Sequence, residues 1–128
     1  MTTSFEAVTR EILVRVQPVY LPAQSVPEQG WHVWAYHVTL INQGARTVQL
    51  LRRTWRITDA QARVQLVQGD GVVGEQPVLR PGQTHAYSSG TKLNTASGFM
   101  TGQYHMIDLE SGALFDIAIP ALCATAAQ

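Results

Sequence analysis

The sequence predicts an all-β fold, an antiparallel sandwich of two sheets, and three observations predict it. Apolar and polar residues alternate with a period of two in segment after segment. Turn signals part those segments roughly every ten residues, with no helical stretch between them. Charged residues make up only 14% of the chain, while Gly and Pro number 10 and 6; helical surfaces carry more Lys and Glu, and the average charged fraction is about 25%.

Glu11 to Tyr20 alternates, with Ile12, Val14 and Val16 on one face and Arg15 and Gln17 on the other. Pro18 and Pro22 mark it as an edge or bent strand, since proline donates no ladder bond. A polar loop covers Ser25 to Gly30. Trp31 to Asn42 carries the longest strand signal, with Trp34, Tyr36, Val38 and Leu40 on one face. After the turn at Asn42-Gln43-Gly44, a second long strand runs from Arg46 to Thr58. Its phase slips near Leu50-Leu51: Val48 and Leu50 share a face before the slip, Trp55 and Ile57 after it. One extra residue in a bulge accounts for such a slip. Thr58-Asp59-Ala60-Gln61 turns the chain into a returning strand, Arg63 to Gln68. Gln83 to Ser88 is a further short strand after the turn at Arg80-Pro81-Gly82, and Ser89 to Ser97 reads as a polar loop. Gly98 to Leu109 and Ala113 to Ile119 form a hairpin about Glu110-Ser111-Gly112.

The 128 residues read as one domain, with its core at about residues 10–120. Met1 to Ala7 and Ala121 to Gln128 are expected to be tails, the second with room for a short helix. Lys+Arg and Asp+Glu are equal at 9 each, so no global charge draws the chain to nucleic acid or membrane. No apolar run reaches the roughly 18 residues of a transmembrane helix. The N-terminus shows no basic start followed by an apolar stretch, and Cys123 is the one cysteine. Together these point to the cytoplasm. Cys123 is expected to be a small apolar filler near the C-terminal tail.

Gly69-Asp70-Gly71-Val72-Val73-Gly74 fits G-x-G-x-x-G. In a dinucleotide-binding fold that motif joins a strand to a helix. Here Pro77 and Pro81-Gly82 follow too closely for a helix. Two readings remain: a tight bend with glycines at positive φ, or a helix-free nest of backbone amides holding an anion. In the second, Gly69, Gly71 and Gly74 bind a phosphate or nucleotide, with Arg53 or Arg80 as the charge partner.

The stretch Gln49-Leu50-Leu51-Arg52-Arg53-Thr54-Trp55-Arg56-Ile57-Thr58 resembles a strand signature of ApaG proteins. Val67 to Pro77 with Arg80-Pro81-Gly82 resembles their central glycine loop. Tyr87-Ser88-Ser89-Gly90 and Gly98 to Met106 resemble the next two motifs, in the same order. Asp70 departs from a frequent Glu, and Ala96-Ser97 from a proline-containing turn. The resemblance implies an immunoglobulin-like or fibronectin type III-like β-sandwich. It also implies a protein-interaction role, as in related domains of an F-box protein and a polymerase-delta-interacting protein. In bacteria it implies a link to tolerance of the divalent cations cobalt and magnesium.

No cofactor and no metal site are expected. His32, His37, His85 and His105 make none of the H-x-H, H-x-x-x-H or H-E-x-x-H spacings, and a transition metal needs three or four convergent ligands. His85 and His105 remain candidates to meet across strands. Asp108 and Glu110 share a face near a turn, where a hard cation would be weakly held. Enzymatic activity is not expected either: Ser88-Ser89-Gly90 lacks the G-x-S-x-G elbow, and no nucleophile–base pair stands out. Arg46, Arg52, Arg53, Arg56 and Arg63 form a basic stripe with Asp59 as its only acid. Trp34 or Trp55 is the expected core tryptophan, Trp31 the exposed one, and Tyr104 a corner tyrosine bonded to backbone. The leading reading is a non-enzymatic domain that binds a protein partner; the alternative is a phosphate-bearing small molecule on the glycine loop. Membrane is excluded, nucleic acid is a minority reading, and a homodimer is left open.

Overall fold

The structure, a computed structural model, describes residues 3–126 and is built from strands: β1 (Phe5–Thr9), β2 (Ile12–Tyr20), β3 (His32–Asn42), β4 (Val48–Asp59), β5 (Val64–Asp70), β6 (Val78–Leu79), β7 (Thr84–Leu93), β8 (Ser97–Asp108) and β9 (Leu114–Thr125). The helical content of the described residues is two 3₁₀ turns, Pro22–Gln24 and Pro27–Gln29. Two antiparallel sheets result, with strand orders β1-β2-β3-β7 and β5-β4-β8-β9; β6 pairs with the start of β4. The all-β sandwich expected from the strand rhythm is what forms.

Alternation decides which face each strand buries. On β3, Trp34, Tyr36, Val38 and Leu40 point inward; on β2, Ile12, Val14 and Val16 do the same. The second sheet answers with Leu50, Trp55 and Ile57 of β4, Met100, Tyr104 and Met106 of β8, and Ile117 and Ile119 of β9. Val14, Val38, Leu40, Ile57, Ile117 and Ile119, the core expected from alternation, are all buried. Trp34 and Trp55 both belong to the core, and Trp31 is 44% exposed.

The phase slip of β4 is a bulge. Its register against β8 shifts between Leu50 and Arg52, so Leu50 faces Met106 but Arg52 faces His105. One added residue lets Leu50 and Trp55 both point into the core, although their spacing is odd. Pro18 lies within β2 where β1 no longer runs alongside, because β1 pairs only from Ile12 to Val16. Its missing N–H therefore leaves no ladder bond broken on that side.

Three expectations about irregular segments are overturned. The N-terminal tail forms β1 from Phe5, because Phe5 and Ala7 find Val16 and Val14 as partners; residues 1 and 2 lie outside the described part. The C-terminal segment is neither tail nor helix as far as it is described, residues 127 and 128 lying outside the described part. It continues β9 to Thr125, carried past Pro120 by a register shift against β8 between Met100 and Gly102. Cys123 is consequently an exposed strand residue rather than a filler. The polar loop after Ser88 is largely strand: β7 runs on to Leu93, its polar side chains tolerated because it is the edge of its sheet.

Candidate functional site

The two sides of the sandwich differ. On one, β1 and β2 pack against β9, and the Ala118 N–H donates to Thr9 Oγ1 at 3.1 Å. On the other, edge strands β5 and β7 are not joined, and a cleft of about 590 Å³ opens between them. Its floor is apolar, from Tyr36, Trp55 and Ile57; its rim carries Arg53, Arg63 and Lys92 against one acid, Asp59.

These charges are held in place. Asp59 Oδ1 accepts from the N–H groups of Gln61 and Arg63, and Oδ2 accepts from Arg63 Nε at 2.7 Å. Burial pushes the Asp59 carboxyl up, but those donors outweigh it and keep it below its ordinary value. Lys92 stands over the Trp31 ring, Nζ 4.2 Å from its centroid, which fixes a cation at the cleft mouth. The outer side of β5 adds apolar surface, with Val64 48% and Leu66 61% exposed.

The glycine motif is a tight bend. Gly71 and Gly74 both have positive φ, +62° and +80°. Val72 and Glu75 exchange both backbone bonds, 2.7 and 3.0 Å, around Val73 and Gly74. Val73 is also at positive φ, 49°, so the two central residues make a hairpin turn of the I′ kind. The Gly71 N–H donates to Leu51 O at 2.8 Å. Of the two candidate arginines, the structure brings Arg53 to the loop and leaves Arg80 in the turn before β7, where its N–H donates to Gln83 Oε1. Arg53 Nη1 donates to Gly71 O at 2.8 Å and Asp70 O at 3.2 Å. Gly69 lies within β5, opposite Arg53, and a Cβ there would sit 3.0 Å from the guanidinium.

Comparison with known proteins fits this fold. The ApaG domain family matches residues 22–108. Protein ApaG of Paramagnetospirillum magneticum is 60% identical over 117 residues, 91% of this chain and 89% of that protein. The chain belongs to the ApaG family. Protein ApaG of Rhodospirillum centenum is 57% identical over the same shares of both chains. A crystal structure described as an ApaA protein of Bordetella pertussis superposes with a TM-score of 0.89 at 41% identity, covering 95% of this chain and 99% of that one. A protein of Archaeoglobus fulgidus shares the fold alone, at 7% identity and a TM-score of 0.52 over 86% of this chain and 94% of that one.

Other residues of this ApaG chain find roles the sequence does not show. Tyr104 bonds another side chain rather than backbone: its Oη lies 2.5 Å from Tyr87 Oη. His85 and His105 do not meet, because His105 points to the outer face of its sheet, where Thr54 and Asp116 engage it. His85 Nε2 is instead 3.6 Å from Glu75 Oε2 of the glycine bend. Asp108 is taken up by Arg46 Nε and by the N–H groups of Glu110 and Ser111, so it fastens the β8–β9 hairpin. Among the described residues, no three His, Cys, Asp or Glu side chains converge as a metal site, and no helix is long and apolar enough to cross a membrane. The basic stripe is divided: Arg52, Thr54 and Arg56 lie on the outer face of β4, while Arg53 turns inward to the cleft.

Proposed function

We propose that this ApaG-family chain acts in the cytoplasm as a binding module, taking a protein partner at the open side of the sandwich. The observation that carries this reading is the pair of free strand edges, β5 and β7, on either side of one cleft. A free edge offers unpaired backbone donors and acceptors to an incoming strand. Trp31, 44% exposed beside Lys92, supplies an aromatic surface of the kind on which binding energy concentrates. With Arg53 held by Gly71 O and Arg63 by Asp59, Lys92 at the mouth of the cleft is the cation offered to a carboxylate of a partner segment. The immunoglobulin-like or fibronectin type III-like character implied by the motifs accords with a module that binds through edges and loops. On this reading a link to cobalt and magnesium tolerance is exerted through the partner.

The glycine bend supports anion binding less. The amides of Gly71, Val72 and Glu75 already donate to backbone carbonyls, and Arg53 is occupied with Gly71 O.

The test is hydrogen exchange on the complex reconstituted from a captured partner. New protection is expected at the backbone amides of β5 and β7, and Leu66→Lys with Lys92→Glu should weaken the complex. Protection confined to β1 or β9 would replace the proposed surface with the opposite side.

A further inference from the structure

The outer face of the second sheet, away from the cleft, holds a Thr–His–Asp relay. Thr54 Oγ1 lies 2.8 Å from His105 Nε2, and His105 Nδ1 lies 2.7 Å from Asp116 Oδ1. Three different strands supply the three residues. His105 and Asp116 are directly opposed between β8 and β9. Thr54 is diagonal to His105, two residues along from Arg52, which faces it; such diagonal neighbours reach one another when side chains are long. The bulge makes this possible. Had the register before Leu50 continued, Thr54 would share its face with Tyr104 rather than with His105.

Proton positions follow from the partners. A carboxylate only accepts, so Nδ1 of His105 carries the proton and donates to Asp116. In the neutral ring Nε2 is then an acceptor, and the Thr54 hydroxyl must donate to it. This is the geometry that recognises an activated hydroxyl: base on the nucleophile, carboxylate behind the base, whatever the fold or chain order. The relay borders a groove of about 610 Å³. Leu51 and the exposed Leu114 give that groove an apolar wall. Gln68 and Gln103 oppose Thr54 from the strands on either side and line the same groove, so amide N–H donors flank the hydroxyl.

The geometry points to Thr54 as an acyl-accepting hydroxyl, served by His105 as base and Asp116 as its positioning residue, for carboxylic esters whose apolar part lies in this groove. Thr54 Oγ1 forms a bond to the ester carbonyl carbon while its proton passes to His105 Nε2. The negative charge gathered on the carbonyl oxygen is met by the side-chain amides of Gln68 and Gln103. The tetrahedral adduct collapses, the bond to the leaving alcohol breaks, and that alcohol takes the proton from Nε2. The acyl group stays on Thr54 until water, deprotonated by the same nitrogen, releases it as a carboxylic acid and restores the hydroxyl. Partner binding at the cleft neither requires this chemistry nor is required by it.

The test uses p-nitrophenyl acetate and p-nitrophenyl butyrate with the full chain. Exposed histidines hydrolyse such esters slowly, so the comparison that counts is with Thr54→Val, which keeps His105. Nitrophenolate release by the natural sequence should exceed that of Thr54→Val by at least ~10²-fold, the usual contribution of a positioned base. Acid-quenched peptide mapping should find the acyl group on Thr54. His105→Gln should remove the Thr54-dependent part of the rate, and Asp116→Asn should lower that part and shift its pH profile; an ornamental hydrogen bond would leave no Thr54-dependent part to change. Thr54-dependent release supports the assignment whether one equivalent or many appear. Equal release from the natural sequence and Thr54→Val, or no acyl group on Thr54 beyond that in the denatured chain, overturns it. The adduct is read on the natural sequence, so it stands as a test even if a variant fails to fold.

Discussion

Tyr87 Oη and Tyr104 Oη meet at 2.5 Å across the core, one from each sheet. Tyr104 is fully buried, so its hydroxyl has no water to turn to. Tyr87→Phe should therefore destabilise the fold by about 1–3 kcal/mol, the cost of leaving a buried hydroxyl unpaired. Replacing both tyrosines by Phe should recover part of that loss. Urea unfolding of the two variants checks this, with the slope unchanged.

The same pair sets the alkaline limit. Burial pushes both phenols above their ordinary value. The folded state therefore holds protons that the unfolded state releases from about pH 10 upward. Stability should be indifferent to these groups below that pH and should fall as pH rises beyond it. Melting temperature as a function of pH measures the effect, which should diminish in Tyr87→Phe.

Acid acts through Asp108. The Arg46 guanidinium, joined by the Glu110 and Ser111 N–H groups, holds its carboxyl at about 2 against the opposing effect of burial. A depressed folded value gives stabilisation that is complete above the unfolded value, about 3.9, and is lost as pH falls through the folded one. Unfolding monitored from pH 5 to pH 2 should show this loss in the natural sequence and a flatter profile in Asp108→Asn.

The glycine bend separates two kinds of substitution. A Cβ at Gly71 would lie 2.2 Å from Glu75 O, so Gly71→Ala should be severely destabilising. Gly74 has open space and only a positive φ, so Gly74→Ala should cost about 1 kcal/mol. Val73, β-branched at φ 49° and largely exposed, is the poorest fit to its turn, and Val73→Asn should stabilise it. Thermal melts of the three variants should rank in that order.

Ile117→Ala probes the core. The residue is buried on β9, and its truncation should cost about 2–5 kcal/mol from lost transfer energy and a cavity. An unchanged melting temperature would mean the inward phase of β9 is misassigned.

Alternation makes the fold legible, because a strand with one buried face must write a period of two into its residues. The same rule puts Trp55 and Ile57 inward and Arg52 and Arg56 outward from the order of residues alone. It fails where an edge frees the strand from that demand. Ser89 and Thr91 on β7 are polar because one side of the strand is unpaired, and they read as loop. The relay on the outer face is illegible for a different reason. Thr54 and His105 are 51 residues apart, and their meeting depends on cross-strand register, which composition and local pattern do not encode. Arg53 is a candidate partner of the glycines by sequence and does reach them, but it donates to their carbonyls instead of sharing an anion with their amides.

The bulge after Leu50 reverses the odd–even parity of β4. Upstream of it, even-numbered residues such as Val48 and Leu50 face the core; downstream, the odd-numbered Trp55 and Ile57 do. Removing the single residue Leu51 would restore plain alternation, with Leu50, Trp55 and Ile57 evenly spaced and still inward. What it would take away is the Leu51 carbonyl, which accepts from the Gly71 N–H and from Gln76 Nε2. Substitution at this position keeps that carbonyl; deletion does not. The surplus residue of β4 is thus a mooring for the glycine bend, and its loss would be felt in the bend before it was felt in the core.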